Sequence, residues 1–313
     1  MLDPQAKALL ELVASLGRPP MNEMTAEEAR LDYLQRRFFS QPEPPAMASV
    51  KDFTVPGRDG EIPVRSYRPA GSADDTMLPV LVYLHGGGWT IGDCDTHDVL
   101  CRELANGAGC AVVSVDYRMG PEHRFPAAVH DCIDATAWVA ANAVSLNVDP
   151  ARIAIGGDSA GGNLSAVVAL AARDAGGPAL AFQLLIYPAT DMRLAMASHG
   201  RNGSGYLLTS DLIGWFRGNY VGPEQYDDWR ASPLLAESFV NLPPALVLTA
   251  GYDPLVDEGK AYADVLAAAG VPVEYVCYEG QIHGFITMGK VLDQANHAVA
   301  RCAAALKAVF AAA

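Results

Sequence analysis

Six short runs of nearly continuous apolar residues constrain this chain more than any other feature. They are VLVYLH (80–85), AVVSVDY (111–117), RIAIGG (152–157), FQLLIY (182–187), ALVLTAG (245–251) and VEYVCY (273–278). A strand that is apolar on both faces must be covered on both faces, which is the condition of a parallel sheet. Helical periodicity fills most of the intervals, over about 97–107, 126–142, 160–174 and 257–269. Strand alternating with helix predicts an α/β fold, a mostly parallel sheet flanked by helices. VKDFTV (50–55) and EIPVRSY (61–67) flank a GRDG turn and add a hairpin, bringing the expected count to about eight strands. At 313 residues, half of them hydrophobic, the chain can bury such a core without disulfide staples.

Two regions depart from the alternation. Asp3-Pro4 offers an N-cap and a first-turn proline, and Ala6, Leu9, Leu10 and Val13 then share one helical face. Thr25 and Glu28 spell a capping box for a second helix through about Phe39, and QPEPP (41–45) ends it. Residues 1–45 are therefore expected to form the N-terminal helical part of a cap on a main domain, 46–313. Between Tyr187 and Pro244 no buried strand is expected. That stretch holds SHGRNGSG (198–205), which reads as a flexible piece, then a helix capped near Thr209 or Ser210 and carrying Leu212, Trp215 and Phe216. A long aromatic-bearing insertion after a sheet strand, about 190–230, predicts a lid or cap.

Charge narrows the partners. Twenty-two Lys and Arg against 36 Asp and Glu leave a net charge of −14, which opposes binding to nucleic acid or to an anionic membrane surface. The opening MLDPQAKALL lacks a basic leader before an apolar run, so no signal peptide is expected. No run of about 18 apolar residues suggests a membrane span. The six cysteines form no CxxC pair, and no histidine cluster completes a zinc pattern, so they read as reduced thiols of a cytoplasmic protein. No metal or organic cofactor is expected.

The chemistry concentrates at the ends of the strands. Gly157-Asp158-Ser159-Ala160-Gly161 matches G-x-S-x-G between a strand and a helix, the setting that forces a serine out of the sheet onto a sharp turn. His85-Gly86-Gly87-Gly88-Trp89 follows another strand, and its glycines expose backbone N–H groups that can donate to a developing oxyanion. A phosphate loop is the competing idea, but neither G-K-[ST] nor G-x-G-x-x-G is present. His283 follows the last strand and is the expected base. Asp253 follows ALVLTAG and is its expected orienting carboxylate, giving the order Ser, Asp, His. Asp257 is the rival acid, but it fits the start of the next helix and reads as a cap.

Together HGGGW, GDSAGG, DPLVDEG, IHGF and the block Asp116–Ala128, DYRMGPEHRFPAA, resemble the hormone-sensitive-lipase-like branch of the α/β-hydrolases, the family IV carboxylesterases of the GDSAG subgroup. The resemblance spans about residues 50–310. It implies an α/β-hydrolase fold with a helical cap and hydrolysis of carboxylic esters, and the large apolar side chains of the N-terminal helices and the insertion are expected to narrow the acyl pocket to short and medium chains. It also implies a catalytic triad Ser159, Asp253 and His283, an oxyanion hole from the amides of Gly87, Gly88 and Ala160, and a homodimer paired through the VEYVCY edge. Trp89, Tyr206, Leu207, Trp215 and Phe285 are expected to line the substrate site. An amidase, deacetylase or peptidase would use the same triad, and a ligand receptor on this fold would be expected to lack the base.

Overall fold

The computed structural model describes residues 1–312. Its strands are β1 (Met47–Gly57), β2 (Gly60–Pro69), β3 (Leu78–Leu84), β4 (Ala111–Val115), β5 (Val148–Asp158), β6 (Phe182–Ile186), β7 (Ala245–Tyr252) and β8 (Val273–Ile282). The helices are α1 (Pro4–Ser15), α2 (Ala26–Ser40), α3 (Asp98–Ala108), α4 (Ala127–Ala141), α5 (Ala160–Ala175), α6 (Ala197–Arg201), α7 (Ser210–Tyr220), α8 (Val256–Ala268) and α9 (Asp293–Ala312).

The eight strands form one sheet in the order β1-β2-β4-β3-β5-β6-β7-β8. β1 and β2 pair as an antiparallel hairpin, and β2 runs antiparallel to β4. The remaining pairings are parallel. β3 shows why the apolar runs had to be continuous. All seven of its residues are buried, and successive side chains enter different cores because a strand alternates faces. Val80, Val82 and Leu84 pack with Leu164 and Val167 of α5, while Leu81 and Tyr83 pack with Leu100 and Leu104 of α3 and Leu306 of α9.

The helix ends follow local chemistry. The Asp3 side chain accepts from the amides of Gln5 and Ala6 at the start of α1, and Thr25 and Glu28 form a reciprocal capping box at α2. The two N-terminal helices then separate. α1 lies beside β8, where the Asp3 amide donates to Gly280 O at 2.9 Å and Ala6 and Leu9 join the α9 core. Met21 and Ala29, before and within α2, instead pack with Leu208, Ile213 and Phe216 of the insertion and with Ile91 and Leu255. Amphipathic spacing announces a helix but does not say which groove it fills.

The insertion between β6 and β7 holds α6 and α7 and short 3₁₀ turns, with no strand. SHGRNGSG corrects the sequence expectation. Its first half is helix α6, and Ser198, His199 and Asn202 are buried. Ser198 and Asn202 donate to carbonyls at and just after the end of β7, and His199 Nε2 meets Glu258 of α8, so the first half of a polar, glycine-rich string that reads as flexible is helical and packed.

Candidate active site

Three strands deliver three side chains to the carboxyl end of the sheet. β5 ends at Asp158 and α5 starts at Ala160, so Ser159 alone makes the turn, with φ +54°. That left-handed conformation is strained for a residue with a Cβ. The Ser159 amide holds it by donating to Ile186 O at 2.8 Å. A Cβ added to Gly157 or Gly161 would run into the Leu84 carbonyl at the end of β3. The glycines of the motif are therefore there for close backbone approach.

His283 follows β8. Its Nε2 is 2.9 Å from Ser159 Oγ, and its Nδ1 is 2.6 Å from Asp253 Oδ2. Asp253, fully buried beyond β7, accepts from the Leu255 amide on its other oxygen at 2.8 Å. The structure thus brings the three residues into one hydrogen-bonded line.

The glycine loop faces the serine from β3. Gly87 and Gly88 have φ +125° and +57°, and the amides of Thr90 and Ile91 close the turn on Gly87 O. A Cβ on Gly88 would enter the ring of Phe216, so the insertion rests directly on this loop. Ala160 is the first residue of α5, where an amide has no intrahelical acceptor.

Asp158 connects serine and loop. Its buried carboxylate accepts from Tyr83 Oη at 2.7 Å and from the Gly86 amide at 2.9 Å, and lies 3.2 Å from His97 Nε2. Burial by itself raises its pKa, but His97 and Tyr83 more than offset this and leave it below the ordinary carboxylate range. A Cβ on Gly86 would strike this carboxylate. His85 is buried against Tyr117 with rings 4.3 Å apart, and its Nδ1 is 2.9 Å from Gly86 O. The sequence marks Asp158 only as part of the GDSAG subgroup motif and gives His97 no role. The available signal was a charged residue between an apolar strand and a turn glycine, a position that demands partners.

The expected substrate-lining residues fall into different places. Trp89 is buried face to face with Tyr220, ring centres 4.5 Å apart, and Phe285 is fully buried between Tyr187 and Tyr278. Both are core residues here, because large apolar rings beside a site are more stable buried than lining a wet cavity. Tyr206 packs on Tyr252, and Leu207 lies half-buried against the same core. Trp215 is half-buried beside Phe216, and it is Phe216 that covers Gly88. Asp257 is a further correction. It lies in the first turn of α8 without capping it, and accepts instead from the Ser198 amide at 2.9 Å and from Arg201 at 2.8 Å.

A family model described as the alpha/beta hydrolase fold matches residues 81–287. The chain belongs to this family, in its hormone-sensitive-lipase-like branch. It is 47% identical over 256 residues to the carboxylic ester hydrolase LipN of Mycobacterium tuberculosis, covering 80% of this chain and 67% of that one. It is 39% identical over 317 residues to an ethyl acetate hydrolase of Pseudomonas putida, covering 98% of each. The crystal structure of an alpha/beta hydrolase enzyme from the metagenome of Lake Arreo matches with a TM-score of 0.96 at 45% identity, over 99% of both chains.

Proposed function

We propose that this chain hydrolyses carboxylic esters of short to medium acyl length through an acyl-enzyme on Ser159. The observation that carries the reading is the unbroken line from Ser159 Oγ through His283 to Asp253. His283 Nε2 takes the serine proton while Oγ attacks the ester carbonyl. The tetrahedral oxyanion is met by the amides of Gly87, Gly88 and Ala160; losing one such donor costs about 10²–10³ in turnover. Asp253 fixes the imidazole tautomer and stabilises its charged form. The alcohol leaves with the proton from His283. A water then gives a proton to His283 and its oxygen to the acyl carbon, and the serine is released with its proton restored.

The acyl limit rests on the apolar cluster of Met21, Ala29, Ile91, Leu208, Ile213, Phe216 and Leu255, which closes over the glycine loop. In this reading α2 and the insertion together form the cap. Each methylene that fits adds about 0.8 kcal/mol, and one that does not fit forces strain. The six unpaired cysteines, five of them buried, suit a reducing, cytoplasmic setting, and among the described residues no helix is long and apolar enough to cross a membrane. β8 is an edge strand beside a groove of about 690 Å³ lined by Glu274, Cys277, Tyr278 and Arg301, and this edge supports pairing with a second copy.

The test is a series of p-nitrophenyl esters from acetate to palmitate, with matched anilides, on the chain and on Ser159→Ala. Activity peaking on short to medium esters and abolished in Ser159→Ala is expected. Best turnover on palmitate would replace the acyl assignment. Faster turnover of anilides than esters would favour an amidase.

A further inference from the structure

The loop that carries Asp253 is clamped between two parts of the molecule. On one side is β8. The β7–β8 pairing skips between Ala250 and Tyr252, and a Cβ on Gly251 would collide with the Glu279 backbone. A skipped register takes backbone groups out of the ladder, and their buried carbonyls need other donors. The insertion supplies them. The side-chain amide of Asn202 donates to Gly251 O at 3.1 Å and to Asp253 O at 3.0 Å, and Ser198 Oγ donates to Pro254 O at 2.5 Å. Asn202 and Ser198 are themselves buried, at 4% and 0% exposure.

These donors are fixed in turn by α8. The Asp257 carboxylate accepts from the Ser198 amide and from Arg201, and Glu258 lies 2.7 Å from His199 Nε2 while accepting from the Thr190 amide at 2.6 Å. Both the start of the insertion and helix α6 are therefore pinned before Asn202 reaches the loop. Farther on, the same insertion places Phe216 on Gly88. One segment thus touches the loop of the acid and the loop of the oxyanion donors.

We propose that Asn202 is a positioning residue for the triad acid. Its two N–H bonds hold the peptide groups on either side of Tyr252 and Asp253 where the carboxylate meets His283 Nδ1. The inference rests on the reading of Asp253 as that acid. Asn202 touches no reacting atom. Its loss acts through the distance between Asp253 and His283, and small displacements at such a contact cost up to about 10² in rate.

The experiment compares the full chain with Asn202→Ala, Asn202→Ser, Ser198→Ala and Asp253→Asn. Rates on p-nitrophenyl butyrate are referred to active sites counted with a fluorophosphonate, and pH profiles of kcat/KM are recorded. Asn202→Ala is expected to lower kcat by about 10- to 100-fold with KM within about twofold. The acid limb of the profile should move to lower pH, because a displaced carboxylate stabilises the imidazolium less. Asn202→Ser keeps one donor and should fall between, and Ser198→Ala should shift the limb in the same direction. If Asn202→Ala does not fold, these two variants carry the same test. Lower thermal stability with kcat per site and the acid limb unchanged would overturn the proposal, as would a change in KM alone. Full turnover in Asp253→Asn would instead overturn the triad assignment. Asp253→Asn inactive beside an unaltered Asn202→Ala would overturn only the positioning role.

Discussion

A Cβ at Gly88 has nowhere to go, because the ring of Phe216 occupies its place and φ is +57°. Gly88→Ala is therefore expected to lower kcat by about 10² by moving the oxyanion donor proposed there. Gly88→Ala with Phe216→Ala should recover part of that loss. An equal loss in the double variant, read from kcat on p-nitrophenyl butyrate, would mean that backbone strain and not the ring is responsible. Two titrating neighbours behind the loop act in opposite senses. Burial, then His97, pushes the pKa of His85 down to about 4. Unfolding returns it to about 6.5, so between those values only the unfolded chain binds this proton, and stability falls as pH falls. Half-buried Asp116, 4.0 Å from His85 Nε2, is raised to about 6 by burial and then by Asp93. From there down to about 4 the folded chain binds the extra proton, so this group adds stability as pH falls. His85→Gln should make the unfolding free energy rise more on going from about pH 6 to about pH 4.5, and Asp116→Asn should make it fall more. Urea unfolding at the two pH values checks this, and equal slopes in all three chains would contradict it.

At the scale of elements, α2 is latched to the glycine loop by one side chain. Arg30 donates to Thr90 O at 2.8 Å, to Gly120 O at 2.9 Å and to both oxygens of Glu122, while Thr90 Oγ1 donates to Gly88 O at 3.0 Å. Arg30→Met keeps the stem and removes those bonds. Because the guanidinium is partly exposed, the stability loss should be about 1–2 kcal/mol. The loop that presents Gly87 and Gly88 is loosened, so kcat should fall several-fold with little change in KM. Steady-state kinetics decide it, and a raised KM with unchanged kcat would assign Arg30 to the pocket wall. Deleting residues 1–40 removes the latch together with Met21 and Ala29, and should both slow the enzyme and extend its chain-length profile. An unchanged profile would show that α2 does not limit the acyl site.

For the molecule as a whole, the sheet has two edges, β1 of the hairpin and β8. α1 meets β8 at Gly280 O, and Val273–Tyr278 of β8 pair with β7 on one side only. Sedimentation equilibrium at micromolar concentration should therefore give twice the chain mass. A strictly monomeric profile would remove the edge-pairing proposal. The same topology explains the site: β3, β5, β7 and β8 end on one side of the sheet, so residues far apart in the chain, Gly87, Ser159, Asp253 and His283, converge there.

Much of this was legible in the residues themselves. Strands buried on two faces must be apolar throughout, and that pattern survives in one dimension, as do the capping box at Thr25 and Glu28 and the elbow at Ser159. Triad order is also local, since each member follows its own strand directly. What only tertiary structure decided is every role that depends on a partner distant in the chain. Asp257 is an acid near a helix start in sequence, yet it binds Ser198 and Arg201, 59 and 56 residues away. Asn202 and Ser198 sit in a glycine-rich polar string and become donors only because the β7 loop leaves three carbonyls facing them. Trp89 and Phe285 belong to the core because rings are there to receive them. Periodicity and spacing record how a segment meets water and its own backbone, whereas hydrogen-bond partners and packing neighbours exist only once the chain has closed on itself.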